Sequence, residues 1–280
     1  MSNFEEIIEG QRKSWNKFAP GWKKWDSFMM KKLQPIGEAL LDAAKIRDGH
    51  NVLDVATGTG EPGLTAARRV GKGKVIGIDL AEEMIRVAKE NAESKGIKNY
   101  EARVIDATAL PFEDNSFDAV ICRFGIMFFP NPQAAIKEMV RVLKPNGVIA
   151  LSVWASPTKN PWLTVIAGIV NTMLEVPSLP SDAPGVFRFA DIKRIKSLFE
   201  MAGLRKVNTI EIEGESIFES AEQYWQVMTE VAAPIANALN KVGIEQREQI
   251  KKAVINAAKQ YEKDGRVVFG YSAWVASGVK

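Results

Sequence analysis

An α/β protein built on a doubly wound, mostly parallel sheet is what this sequence predicts, on three observations. Residues 52–64, VLDVATGTGEPGL, pass from an apolar segment through a glycine turn into helical spacing. A second apolar segment, Lys74–Leu80, carries an acid at Asp79, 25 residues after Asp54. Strand-like and helix-like segments then alternate as far as Trp154, the rhythm of βαβ units.

The first strand, Asn51–Val55, is apolar around one carboxylate, as expected of a central parallel strand covered on both faces. Gly58 and Gly60 remove side chains where the backbone turns sharply and a ligand approaches. Ala66, Ala67 and Val70 continue at helical spacing, so the turn opens onto a helix N-terminus with unpaired N–H groups. The third strand reads as Tyr100–Ile105 and the fourth as Phe117–Phe124, followed by a helix over Pro132–Leu143. The turn Lys144-Pro-Asn-Gly147 leads into a fifth strand, Val148–Trp154. Residues 155–189 are proline-rich and read as a loop with a short helix near 161–175. Asp191–Ala202 is amphipathic and stops at Gly203, a glycine C-cap. Val207–Ile212 and Val267–Ala276 alternate as strands, and the roughly fifty residues between them are helical in period, with a second, charged helix at 245–263.

A strand, glycine loop, helix, strand and acid make a nucleotide-binding half, with the acid placed to accept hydrogen bonds from ribose hydroxyls. An adenosine-containing cofactor is therefore expected. Gly58-Thr-Gly60-Glu-Pro-Gly63 also matches G-x-G-x-x-G, so a nicotinamide-dependent oxidoreductase stands as an alternative. Asp54 and Glu61 put negative charge where a pyrophosphate would sit, which suits a ligand ending in an ammonium group. The plain structural alternatives are a capping role for Asp54 and a simple tight turn for the glycines.

Downstream, four motifs follow in order: D-x-A-x-G-x-G from Asp54, G-I-D-L-A-E-E-M from Gly77, D-A-x-x-L-P-F-x-D-x-S-F-D from Asp106, and R-V-L-K-P-N-G from Arg141. Over about residues 50–154 the chain resembles the class I S-adenosylmethionine (SAM) dependent methyltransferases, most of all the group that includes the ubiquinone/menaquinone C-methyltransferases. The resemblance implies a Rossmann-like, doubly wound, mostly parallel seven-stranded sheet whose last strand runs antiparallel beside the fifth. It implies SAM as cofactor, and methyl transfer by in-line displacement to a hydrophobic or aromatic small molecule. By position, Asp54, Ala56, Gly58 and Gly60 would line the methionine half of SAM, with Asp79 on the ribose and Leu80 and Met84 against adenine. Asp106 would accept from the adenine amino group and Ala107 would donate its backbone N–H. Arg123, Phe124 and Phe128 would lie where the family places the reacting methyl group and the acceptor. Leu80, Met84 and Phe124 equally suit a core, and Arg123 a surface ion pair.

Three departures accompany the resemblance. Ala56 stands where the family often has glycine. The quinone branch has F-G-I-R-N after the fourth strand, where this chain has Phe124-Gly-Ile-Met127-Phe. An N-terminal A-x-x-Y-D segment that covers SAM in relatives is matched by Ala19, but Trp22-Lys23 replaces Tyr-Asp. Trp22 is the expected lid residue. The surrounding run of Trp15, Phe18, Trp22 and Trp25 with flanking lysines also reads as a membrane-surface or nucleic-acid anchor, and Pro20-Gly21 is expected to break the helix there. A non-catalytic SAM-binding or membrane-associated protein is accordingly a further alternative.

The chain has 280 residues, 46% hydrophobic and 25% charged, with a net charge of +3 that calls for no polyanionic partner. The fold is expected to divide into an N-terminal helical cap at 1–45 and a methyltransferase domain at 46–280, with helical substrate-cover insertions at about 155–189 and 214–265. One cysteine, Cys122, leaves no internal disulfide and no thiol-rich metal site, and His50 precedes the first strand, away from the ligand-binding strand ends. The activated methyl group of SAM that the resemblance implies requires no metal. The start lacks the apolar core of a signal peptide, and Leu163–Val176 is short for a bilayer, so a cytoplasmic enzyme is expected. No N/D-P-P-Y/F tetrapeptide follows the fourth strand, which points away from nucleic acid. If the acceptor is a phenol or an acidic carbon, a base is needed, and Arg123, Tyr224, Glu222 and Tyr271 are the candidates for catalytic roles.

Overall fold

The computed structural model describes residues 3–177, 180 and 182–280. Helices α1 (Asn3–Lys24) and α2 (Asp26–Ala43) precede strand β1 (Asn51–Val55). There follow α3 (Gly63–Val70), β2 (Lys74–Asp79), α4 (Glu82–Ser94), β3 (Tyr100–Val104), β4 (Phe117–Arg123) and α5 (Pro132–Val142). The second half comprises β5 (Leu143–Trp154), α6 (Pro161–Met173), α7 (Lys193–Met201), β6 (Arg205–Phe218), α8 (Ala221–Val231), α9 (Ala233–Leu239), α10 (Ile244–Lys259), β7 (Glu262–Lys263) and β8 (Arg266–Val279).

The strands lie in the order β3-β2-β1-β4-β5-β8-β6, with the two-residue β7 paired on β8. The β1–β2, β1–β4, β2–β3 and β4–β5 pairs are parallel, whereas β8 is antiparallel to both β5 and β6. The predicted mostly parallel sheet with an antiparallel last strand is thus observed. The order reverses between β1 and β4, so the crevice at the carboxyl ends of β1, β2 and β4 is the switch point at which such sheets bind ligands. Apolar runs explain the centre: every residue of β1 after Asn51 is buried, and Ala119–Cys122 of β4 are wholly so.

Several local expectations need correcting. The helix does not break at Pro20-Gly21; α1 continues to Lys24 and the interruption falls at Trp25. Packing overrides the proline, because Gly21 lies directly against the Glu230 carbonyl of α8, and Ala19 is fully buried. The 144–147 turn is absorbed into β5 as an irregularity in its pairing with β4, Asn146 taking a left-handed φ of 64°. Strand β6 runs to Phe218, six residues beyond the predicted end, because it pairs with β8 along nearly its whole length. The charged helix ends at Lys259, since Glu262–Lys263 turns back onto β8.

Candidate active site

At the end of β1, three positive φ angles shape the glycine loop: 55° at Ala56, 55° at Gly58 and 109° at Gly60. Ala56 is the strained member, in a conformation that glycine would adopt more readily. Behind the loop, Asp54 is fully buried. Its Oδ2 accepts from the Thr57 hydroxyl at 2.6 Å and from the Gly63 N–H at 3.0 Å, while Oδ1 has no hydrogen-bond partner. Burial pushes the Asp54 carboxyl up to about 7, against the pull of those donors and of the Arg123 charge. Because the carboxylate takes the Gly63 N–H, the first amide of α3 is not free for a pyrophosphate, which weighs against the dinucleotide alternative.

The acid on β2 is tied to the same loop. Asp79 accepts from the Gly58 N–H through Oδ2 and from the Ala81 N–H through Oδ1, both at 3.0 Å, and burial raises its pKa. Leu80 beside it is half-buried, whereas Met84 is buried against Ala19 and Ala81 beneath Trp15 and Trp22. Asp106 and Ala107 follow β3 and are half-buried; Asp106 Oδ1 accepts from both the N–H and the hydroxyl of Thr108 at 2.8 Å. Asp54, Asp79 and Asp106 therefore stand at the carboxyl ends of three adjacent strands.

Beyond β4 the chemistry changes. The Arg123 guanidinium donates to the Glu61 carbonyl at 2.8 Å and meets Met30 Sδ at 3.1 Å, and desolvation lowers its pKa. It is no surface ion-pair partner. With Glu61, Pro62 and α2 residues it lines a cleft of about 230 Å³ beside the glycine loop. Phe124, at a left-handed φ of 59°, stacks on Trp154 with centroids 4.1 Å apart and planes 12° apart. Trp154 in turn meets Trp162 edge-on at 5.3 Å and Tyr271 at 6.3 Å. Asn160, just before α6, exchanges hydrogen bonds through its buried amide with the Ser272 backbone on β8.

The candidate tyrosines have other duties. Tyr224 donates to the Trp162 carbonyl at 2.8 Å and accepts from the Ile166 N–H at 3.2 Å, and burial raises its pKa, so its hydroxyl is saturated and unsuited to a base. Tyr271 packs on Gly214 and donates to the Lys32 carbonyl at 3.4 Å. Glu222 is exposed in the first turn of α8.

The N-terminal aromatics face inward. Trp22 Nε1 donates to the Val231 carbonyl, Trp25 Nε1 to Glu230, and Trp15 meets Phe128 edge-on at 5.4 Å. On the charged side, Lys23 pairs with Glu90 and Lys24 with Glu230. Asn16 of α1 supplies the cap that α4 lacks: Ala81 has no capping side chain, and Asn16 Oδ1 accepts from the Glu83 N–H at 3.0 Å. These contacts favour the packed cap over the surface anchor. Among the described residues no helix is long and apolar enough to cross a membrane.

Two features escape the sequence. Tyr100 and Thr57 share a 2.9 Å hydrogen bond next to Asp54. Lys32, one of a row of lysines in the text, turns its Nζ into the interior without a hydrogen-bond partner.

Residues 46–203 match the family model described as a methyltransferase domain, more than half of the chain. The chain belongs to that family. It is 40% identical over 122 residues to an uncharacterised protein of Mycobacterium tuberculosis, spanning 44% of this chain and 43% of that protein. It is 33% identical over 159 residues to the demethylmenaquinone methyltransferase of Listeria welshimeri, spanning 56% of this chain and 67% of that enzyme. The match therefore covers less than half the length of the mycobacterial relative. The crystal structure of the Bacillus subtilis YcgJ protein superposes with a TM-score of 0.56 at 22% identity, over 87% of this chain and 97% of that one, which shows the shared fold.

Proposed function

We propose that this chain moves a methyl group from SAM to a hydrophobic aromatic small molecule. The single observation that carries most weight is the buried, unpartnered Oδ1 of Asp54 behind the glycine loop. A buried acceptor without a donor costs about 1–3 kcal/mol, and the ammonium end of SAM is the donor that this position suits. When bound, SAM supplies a methyl group already activated on a sulfonium, so the protein's task is alignment and exclusion of water.

Each residue then has a task. Asp54 receives the ammonium group and Arg123, in its cleft, receives the carboxylate of the same amino-acid end. Asp79 accepts from the ribose hydroxyls; its oxygens already take two backbone N–H groups, and each retains a further acceptor position. Asp106 and Ala107 meet the adenine edge, with Leu80 on the ring. Met84, buried beneath Trp15 and Trp22, supports that wall from behind. Trp22 holds α1 over α4 and α8 and acts as a strut of the cap. Phe124 and Trp154 form the wall at the reacting end, where an aromatic acceptor stacks. Helices α6 and α8–α10 cover that wall. The quinone-type substrate named for the Listeria relative is an aromatic of this kind, although Met127 stands where that branch has arginine.

Titration calorimetry tests the cofactor half. S-adenosylhomocysteine should bind and NAD should not, and Asp79→Ala should weaken binding by roughly 1.5–3 kcal/mol, the size of lost charge-assisted hydrogen bonds. NAD binding without S-adenosylhomocysteine binding would overturn the proposal. Labelled methyl transfer to a panel of lipophilic phenols, quinols and amines tests the acceptor half, and transfer to non-aromatic amines alone would overturn it.

A further inference from the structure

We infer that Lys32 is the acceptor-binding base of this enzyme: its ε-amine meets the hydroxyl of an aromatic alcohol and takes its proton. This deepens the methyltransferase function proposed above and rests on it.

Lys32 lies on the inner side of α2, between Met29 and Leu33, both buried. Its Nζ sits 3.0 Å above the centre of the Trp162 ring and 5.4 Å from that of Phe218, with no hydrogen-bond partner. Among the described residues no carboxylate comes within ion-pair distance of it. A structural lysine on a surface helix keeps its ammonium in water. Here the nitrogen is drawn inside.

A series of touching aromatic rings runs from this amine to the end of β4. Phe124, which follows β4, stacks on Trp154; Trp154 touches Trp162; and Trp162 carries the Lys32 amine on its face. Tyr271 adds an edge to Trp154 and binds the Lys32 carbonyl, which fixes the turn of α2 that presents the amine. Two further polar atoms in this region are buried and unpartnered: Trp162 Nε1 and the hydroxyl of Ser216, the latter two residues before Phe218 on β6. Unpaired buried polar atoms are rare in folded proteins, and these border one aromatic wall.

The chemistry selects the ligand. Flat rings on several sides suit a planar aromatic. A lone amine without a neutralising acid suits a group that can donate a proton and remain as an anion. Desolvation holds the Lys32 pKa well below that of an ordinary lysine, so the amine is available as a neutral acceptor. The other polar groups around it leave it unopposed: Tyr271 on β8 is occupied with the Lys32 carbonyl, Ser216 on β6 is uncharged, and Arg123 on β4 is turned to Glu61 and Met30. In the step proposed, the O–H bond of the acceptor breaks and its proton bonds to Nζ, while the electron pair stays on oxygen. A neutral amine and a neutral phenol become an ammonium–phenolate pair with no change in net charge. The phenolate is the form that accepts a methyl group.

A chromophoric phenol reads this out without turnover. An alkyl-substituted 4-nitrophenol, yellow as phenolate and colourless as phenol, is titrated into the full-length protein saturated with S-adenosylhomocysteine, at a pH below the probe's own pKa. The wild type should bind it as the yellow phenolate. Lys32→Met, which replaces a buried unpartnered amine by an apolar chain of similar length and should fold, is expected to weaken probe binding at least tenfold and to abolish the yellow form. Binding of S-adenosylhomocysteine should be unchanged in that variant. Colourless binding by the wild type, no binding at all, or equal binding by both proteins would overturn the assignment of Lys32. Failure of the wild type to bind S-adenosylhomocysteine would instead overturn the methyltransferase function, and probe titration in its absence would still report on the lysine.

Discussion

Asp54 couples folding, proton binding and cofactor binding in one carboxyl group. Burial raises its pKa from 3.8 to about 7, so between those values the folded chain holds a proton that the unfolded chain has released. Stability contributed by this group is complete below about pH 4 and is lost as the pH rises to about 7, at most on the order of 4 kcal/mol. Asp54→Asn should therefore be more stable than the wild type at pH 8 in the absence of cofactor, as read by urea denaturation. A cation placed beside Oδ1 favours the ionised form. S-adenosylhomocysteine should accordingly bind more tightly as the pH rises from about 6 to 8, and Asp54→Asn should bind weakly with that slope removed, both by calorimetry. Asp54 and Asp79 were visible in the sequence because strand ends and glycine turns leave local patterns. Lys32 was not. A lysine in an amphipathic helix reads as solvated, and only the arrival of α6 and β6, which supply Trp162 and Phe218, makes it interior.

At the level of elements, α1 shows what local propensity misses. Pro20 and Gly21 are poor helix formers, yet the helix runs through them because Gly21 allows close approach to α8 and Trp22 and Trp25 then bond to Val231 and Glu230. Gly21→Ala should push the two helices apart and cost about 1–3 kcal/mol, with earlier proteolysis of the N-terminal helix as the second signal. Tyr224 of α8 reads in the sequence as a candidate for a catalytic role, but its service to the carbonyl of Trp162 and the amide of Ile166 was not legible, since both lie some sixty residues earlier. Tyr224→Phe should cost about 1–3 kcal/mol of stability through the partners it leaves unpaired, and cofactor affinity should not move.

For the molecule as a whole, the parallel half of the sheet was readable because each strand, loop and helix signals itself over a few residues. The order in which β8 slips between β5 and β6 came from resemblance and is physically non-local, decided by pairing across more than fifty residues. Ligand linkage acts at this scale too. With S-adenosylhomocysteine at a hundredfold excess over its dissociation constant, unfolding should become harder by about 2.7 kcal/mol, seen as a rise in melting temperature that NAD does not reproduce.

Phe218 and Val267 are direct neighbours across the ladder between β6 and β8, so the chain leaves β6 and enters that ladder again beside the same point, with only the short β7 touching β8 in between. The forty-eight positions between them form a detour whose length the strand register does not sense. Such a detour is a partly exchangeable cassette: with α8 kept for its grip on α1, selection, or a protein engineer, can replace the helices after it to suit a differently shaped acceptor while the nucleoside-holding half stays as it is.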